Sequence, residues 1–351
     1  MKKLKLAVIP GDGIGQEVVP QSLKVLEAIS EIHGGLKFEY EEFPYSCDYY
    51  LKHGTMMPDE GLDKLSQFDS IFLGAVGDIN KVPDHISLWG LLIKLRREFQ
   101  QEINVRPAKL LKGVPSKLSD PKDFDLMVVR ENSEGEYSSV GGRIFHDENE
   151  IAIQNAIFSR RGTTQAMDFA FDLAKSRRGH VTSATKSNGI YHTMPFWDDI
   201  FKEVSQKNPG ISTDSQHIDA LAAFFVTQPE KFDVIVASNL FGDILTDIGA
   251  AIMGSVGIAP AANLNLNGKF PSMFEPVHGS APDIIGKGIA NPIGQIWTAK
   301  MLLEFNGEEK IAEHLLNTIE SVTADGYQTP DLGGNKTTSE VTDEIIKRLY
   351  K

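Results

Sequence analysis

Short apolar runs that end in glycine or a polar turn, each followed by a stretch with helical spacing, recur along this chain. That alternation limits the fold more than any other feature. Lys5–Pro10 reads as a buried strand, runs into the glycine turn Gly11–Gly15 and gives way to helical spacing near Gln16–Gly34. Lys37–Phe43 alternates as a strand does, and Ser70–Val76 is a short apolar run with a glycine near its end. Leu88–Glu102 has apolar residues at helical intervals, whereas Phe124–Arg130, His180–Lys186, Phe232–Asn239 and Pro271–Val277 are again strand-like. A chain that switches repeatedly between these two patterns buries both kinds of face in an α/β fold. No repeat, low-complexity tract or Pro/Ser linker marks a domain boundary, and 351 residues are enough for one large unit or two lobes.

Charge and cysteine usage narrow the classes further. The formal net charge of −13 repels nucleic acid and anionic lipid at long range, so neither is an expected partner. No apolar run is long enough to span a bilayer, and the apolar stretch after the basic start, Leu6–Pro10, is too short for a signal peptide. The single cysteine, Cys47, allows no intrachain disulfide and suits a reducing cytoplasm; it has no metal-ligand spacing to other residues and reads as a small buried apolar side chain. An anionic substrate would need arginines gathered locally to overcome the acidic background.

Five segments hold residues suited to chemistry. Gly11-Asp12-Gly13-Ile14-Gly15 follows the first strand as a dinucleotide fingerprint would, but its third glycine comes one residue early, and a tight strand-to-helix turn explains it equally. Arg96, Arg97, Arg106 and Arg130 carry planar forks that grip carboxylates. Each alone also reads as a surface charge, although Arg130 ends an apolar strand, where a charge is costly unless paired. Asp243 and Asp247 stand four apart after the strand DVIVAS and share a helix face. Two such carboxylates suit Mg2+ or Mn2+, and an acidic helix N-terminus accounts for Asp243 by itself. Lys186, at a strand end, can serve as a base and Tyr137 as a proton donor; a surface lysine and a half-buried tyrosine are the plain alternatives. Finally, Glu275–Ile284 contains a glycine-serine turn whose N–H groups suit phosphate, with an acidic residue beyond it for a ribose hydroxyl; His278 there also reads as an ordinary loop histidine.

Taken together, IPGDGIG, LRREF, NVRP, RENSEGEYSS, TKSNG, HIDA, NLFGDILTD, EPVHGSAPDI, IANP and TPDLGG, in this order and nearly end to end, resemble the β-decarboxylating dehydrogenase family. Within it, VPDHISLWG, EYSSVGGR and SATKSNGIYHTMPFWD are most similar to the branch that acts on tartrate and D-malate. Isocitrate-specific members have a serine, then an asparagine two residues later, where this chain has Gly90 and Leu92. Leu91, Leu92 and Ile93 keep a 3-isopropylmalate dehydrogenase open as the alternative, whereas Trp89 is unlike that branch.

The resemblance implies an isopropylmalate dehydrogenase-like fold of two lobes that is not a Rossmann fold, with GDGIG as a structural turn. It implies a larger cofactor-binding lobe from residues 1–101 and 254–351. Residues 102–253 would form a smaller lobe with the dimer contact and the metal and substrate residues. Arg96, Arg106 and Arg130 match the substrate-carboxylate arginines, Tyr137 the proton donor, Lys186 the base, and Asp219, Asp243 and Asp247 the metal ligands. His278, Gly279, Ser280, Ala281, Asp283, Ile284 and Asn291 match the cofactor loop. NADP-using members place lysine and tyrosine where this chain has Asp283 and Ile284, so NAD is the implied cofactor. The metal is Mn2+ or Mg2+, and Lys186 and Asp219 would reach the active site of a neighbouring subunit in a homodimer. The expected activity is NAD-linked oxidation of tartrate and oxidative decarboxylation of D-malate to pyruvate and CO2.

Overall fold

A computed structural model describes residues 2–351, and twelve strands are defined among them. They are β1 (Lys2–Gly11), β2 (Leu36–Glu42), β3 (Ser70–Ala75), β4 (Ile103–Lys109), β5 (Asp125–Glu131), β6 (Gly141–Ile144), β7 (Ile151–Gln154), β8 (His180–Thr185), β9 (Ser212–His217), β10 (Val234–Ala237), β11 (Pro260–Leu264) and β12 (Ser272–Pro276). Contacts divide the chain into two units. The first contains the residues up to Gln101, Leu110–Ser119 and Ala250–Lys351; the second contains Glu102–Lys109 and Asp120–Gly249.

In the first unit the strand order is β2-β1-β3-β12-β11, with β11 antiparallel to β12 and the other pairs parallel. Parallel strands covered on both faces read as continuous apolar runs, and Leu6, Val8, Ile9, Ile71, Phe72 and Leu73 are all fully buried. The order and the antiparallel member depart from Rossmann winding. In the second unit the order is β4-β5-β10-β8-β9, antiparallel only between β4 and β5, and β6 and β7 form a separate hairpin.

The glycine turn after β1 is set by crowding. Gly11 and Gly13 have φ of 71° and 58°, and a Cβ on Gly13 would lie 2.0 Å from the Ser280 carbonyl oxygen. Only glycine tolerates both the left-handed backbone and that approach. Between them, the buried Asp12 carboxylate accepts from the Cys47 and Gly77 N–H groups, each at 2.8 Å. One side chain therefore ties together the ends of β1 and β3 and the start of the helix Cys47–His53.

Two stretches depart from the sequence reading. Leu88–Glu102 is not one helix: Leu88–Leu92 is a π-helical turn, Ile93–Glu98 is α-helical, and β4 starts at Ile103. The apolar spacing reports burial but not the break, which Gln100 makes with φ 47° while buried Gln101 donates to the Pro271 carbonyl at 3.0 Å. The apolar run IAIQNAIF, residues 151–158, to which the sequence reading assigns no element, supplies β7 of the hairpin. Register places Ile144 opposite Ile151, so Ile144, Ile151 and Ile153 share one face, and each remains 47–48% exposed. No helix among the described residues is long and apolar enough to cross a membrane.

Cys47 is fully buried and its thiol is pushed up to about 12, first by burial and then by the Asp12 carboxylate. The thiolate is the reactive form. Native protein at pH 8 should therefore resist a thiol reagent such as DTNB, and one thiol per chain should react on unfolding in guanidinium. Rapid labelling of folded protein would contradict this placement.

Candidate active site

Strand parity builds the centre of the second unit. Asn104 lies directly opposite Arg130 across the β4–β5 pair, and Arg106 is two residues further along β4, so Arg106 and Arg130 point to the same sheet face. On its other side Arg130 pairs with Ala237 of β10, after which the helix Asn239–Ile252 begins. Helical spacing sets Asn239, Asp243, Thr246 and Asp247 on one side of that helix.

Arg130 is only 2% exposed. Its Nε and Nη2 donate to Asn239 Oδ1 at 3.0 and 2.6 Å, and Nη1 donates to Asp243 Oδ1. Arg106 donates from Nε to Asn104 Oδ1 and from Nη1 to Thr246 Oγ1, both at 2.8 Å, and its Nη2 lies 3.7 Å from Asp243 Oδ1. Tyr137 donates its hydroxyl to Asp243 Oδ2 at 2.7 Å, and the Arg130 guanidinium carbon sits 5.4 Å from the centre of its ring. One carboxylate thus receives two arginines and a phenol.

The loop that delivers Tyr137 is fixed from beneath. Buried Glu131 accepts from the Ser133 N–H and hydroxyl at 2.8 and 2.7 Å and from the Glu134 N–H at 3.0 Å. Burial pushes the Glu131 carboxyl up, against the pull of these hydrogen bonds. Glu134 in turn accepts from the Ser159 N–H at 2.7 Å, at the start of the helix Arg160–Lys175.

Asp247 keeps contact with solvent. Its carboxyl is nevertheless raised, mainly by desolvation and further by Asp243, while Arg106 and Arg130 pull it down. Two neighbouring carboxylates, one of them raised in this way, make an oxygen donor set that fits a hard divalent cation. Among the described residues, however, no group of three or more His, Cys, Asp or Glu is arranged to hold a metal. Asp219, the third expected ligand, instead accepts from Lys186 Nζ at 2.8 Å, and that hydrogen bond is the main cause holding the Asp219 carboxyl below its usual range. Asp219 is the more exposed partner, with side-chain exposures of 68% for Asp219 and 28% for Lys186.

In the first unit, Arg96 pairs with Glu275 at 2.6 Å, and Asn263 Nδ2 donates to the same Glu275 oxygen at 2.8 Å. Arg96 Nε is buried with no hydrogen-bond partner, a donor left for something else. Leu91, one of three residues expected to line an apolar substrate pocket, is fully buried in the core, and Arg97 stacks over Trp89 at 4.7 Å.

The segment after β12 combines openness with restraint. A Cβ on Gly279 would meet nothing within 4 Å, whereas Ser280 holds the glycine turn by accepting from the Ile14 N–H at 2.9 Å. Ala281 adopts φ 42°, unusual for a residue with a side chain. Ile284 packs on Ile14, Val18 and Ala290, and Asp283 is exposed. His278 is buried, with Nδ1 3.0 Å from the Gly279 carbonyl oxygen and Nε2 without a partner. Burial lowers its pKa, so the ring is neutral at pH 7. An orphaned ring nitrogen, an open glycine and an exposed carboxylate fit a dinucleotide.

Asn239, Asn104 and Thr246 were not among the expected site residues. They are uncharged, and only their helix and strand spacing to Asp243, Arg130 and Arg106 gave a signal. Glu275, quoted only inside a motif, was likewise not expected to hold Arg96.

Residues 5–345 match the family model described as isocitrate/isopropylmalate dehydrogenase. The chain is 64% identical over 351 residues to a Bacillus subtilis (strain 168) protein named "Probable tartrate dehydrogenase/decarboxylase", covering 100% of this chain and 99% of that one. It is 54% identical over 361 residues to the D-malate dehydrogenase [decarboxylating] of Escherichia coli (strain K12), covering all of both. The crystal structure of isocitrate dehydrogenase from Methylococcus capsulatus superposes with a TM-score of 0.89 at 34% identity, over 99% of this chain and 100% of that one.

The Arg130 knot makes a stability prediction. Replacing Arg130 with Met removes one side of a buried charged network and leaves Asp243 and Asn239 short of donors. The unfolding free energy should fall by about 3 kcal/mol or more, read as a lower urea midpoint. A midpoint within error of the native protein would mean that the pairing contributes nothing.

Proposed function

This chain belongs to the isocitrate/isopropylmalate dehydrogenase family and is an oxidoreductase acting on a CH–OH group; from that premise we propose that it oxidises tartrate and oxidatively decarboxylates D-malate to pyruvate and CO2, using NAD and a divalent metal, in the cytoplasm. The observation that carries this reading is the pair of arginines gathered on Asp243 beside Tyr137. An acidic protein with such a cluster is built for a small anion.

In the proposed reaction, Arg96, Arg106 and Arg130 hold the substrate carboxylates, and their forks fix its orientation. Lys186 takes the proton from the hydroxyl as C2 is oxidised. Tyr137 returns a proton to carbon after CO2 has left. Asp243 and Asp247, with Asp219, would hold Mn2+ or Mg2+, which when bound supplies Lewis-acid stabilisation of negative charge on oxygen. His278, Gly279, Ser280, Ala281, Asp283, Ile284 and Asn291 would hold NAD, the hydride acceptor. Asp283 favours NAD because its carboxylate accepts from ribose hydroxyls and repels a 2′-phosphate.

The same reading makes residues 1–101 and 254–351 the cofactor-binding lobe, and gives residues 102–253 the metal and substrate residues and the contact of a homodimer. Lys186 and Asp219 would serve the partner's site. Two observations support this. Asp219 is an exposed member of a pair with Lys186, and the apolar face of Ile144, Ile151 and Ile153 lies open on a hairpin too small to be stable alone. A 3-isopropylmalate dehydrogenase is less favoured, because burial of Leu91 in the core withdraws it from an apolar pocket.

The deciding experiment is a substrate panel with purified protein and Mn2+, following NADH and CO2 together. D-malate should give both in equal amounts. 3-Isopropylmalate should be poorer by about tenfold or more in kcat/KM, and NADP poorer than NAD by roughly a hundredfold, on the scale of a lost charged hydrogen bond together with like-charge repulsion. Preference for 3-isopropylmalate, or equal use of NADP, would overturn the respective part.

Metal dependence is tested at Asp243. Asp243→Asn should weaken Mn2+ binding, measured by calorimetry, and remove most activity. Full activity of native protein after exhaustive chelation would refute the metal reading.

A further inference from the structure

The TPDLGG turn lies far along the chain from the segment after β12, yet its acid reaches it. Asp331 accepts from Asn291 Nδ2 at 3.0 Å (Oδ2) and 3.3 Å (Oδ1). It also accepts from the Ser255 hydroxyl at 2.5 Å and from the Thr329 hydroxyl. Asn291 Oδ1 meanwhile accepts from the Ile293 N–H at 3.0 Å, where the helix Ile293–Phe305 begins. The amide of Asn291 is thus committed at both ends, and Asp331 decides which way it faces. Gly257 leaves the room for this contact: a Cβ there would lie 2.9 Å from Asp331 Oδ2 and 3.1 Å from Asn291 Cβ. Asp331 also acts electrostatically on buried His278, whose Nε2 has no partner. The Asn291 end of the segment is therefore tied to one carboxylate, and Thr338 holds the residues just before it through the Gly288 and Ala290 carbonyls at 2.9 and 2.7 Å.

We infer that Asp331 is a positioning residue of the dinucleotide site: its carboxylate fixes Asn291 and so presets the backbone on which the adenosine end is received. This rests on the reading of the His278–Asn291 segment as an NAD site. Preorganisation of this kind shows in cofactor affinity rather than in the chemical step. Without Asp331, Asn291 Nδ2 loses its acceptor and only the Ile293 N–H still holds the amide, so part of the segment must be ordered at the expense of binding.

The test compares native protein with Asp331→Ala and Asp331→Asn by NADH fluorescence titration, by separate KM values for NAD and D-malate, and by thermal melting. Asp331→Ala should weaken NADH binding and raise KM for NAD by about tenfold, the scale of one lost charged hydrogen bond. Its kcat and KM for D-malate should stay within about twofold. Asp331→Asn keeps one acceptor for the Asn291 amide and should recover much of the loss. NADH affinity in Asp331→Ala equal to native would overturn the inference, as would losses in kcat and both KM values that merely track a lower melting temperature. Failure of the native protein itself to bind NADH would instead overturn the cofactor reading on which the inference stands.

Discussion

A guanidinium 2% exposed at the end of β5 is the constraint around which the second unit is arranged. Arg130 cannot be left there uncompensated, because an unpaired buried charge costs several kcal/mol. Its partners come from elsewhere: Asn239 and Asp243 belong to the helix that follows β10. Because Ala237 of β10 pairs with Arg130, the end of β10 must deliver that helix beside β5. Even the helix backbone yields to Arg130, since a Cβ on Gly242 would lie 2.7 Å from the Arg130 Cβ. Sheet register, helix start and the glycine in NLFGD are therefore one requirement.

The first unit uses the opposite sign for the same purpose. Asp12 is a buried carboxylate satisfied by backbone N–H groups of Cys47 and Gly77, and it holds the turn that Ser280 in turn accepts from. In both units a buried polar side chain at the end of a parallel strand joins loops that no apolar contact could orient. A hydrogen bond specifies direction where dispersion specifies only proximity. This is where ligand-binding loops of open α/β sheets are positioned.

Legibility in the sequence follows from that division. Strands such as LKLAVIP and FDLMVVR announce themselves because burial on both faces requires continuous apolar residues, and the α/β class follows from their alternation with helices. Arg130 was conspicuous because it breaks such a run. What remained hidden depends on contacts between distant residues. Gln101 ends a helical pattern by bonding to Pro271, β9 has polar residues such as Asp214 and Gln216 along an edge, and the Asn104, Asn239 and Thr246 side chains that steady the arginines carry no distinctive charge. The roles of Lys186 and Asp219 came from family resemblance. Their spacing alone does not reveal that they pair with each other.

Asp243 and Asp247 show how position on one helix differentiates identical side chains. Asp243 is held by Arg130, Arg106 and the Tyr137 hydroxyl, so its charge is shared among three donors before any ligand arrives. Asp247 takes no such hydrogen bond; desolvation pushes its carboxyl up, with Asp243 adding to this and Arg106 and Arg130 opposing it. In the proposed metal site, a cation would compete with Arg130 and Tyr137 at Asp243, whereas at Asp247 no side-chain hydrogen bond would have to give way. On the proposed reading, Asp247 is the side open to a cation. Asp243 is the side through which the same event would be felt by the arginines and by Tyr137, because they already share its oxygens. A carboxylate held by several donors contributes rigidity, and one left exposed stays available to a ligand; placing one of each four residues apart supplies both to a single helix face.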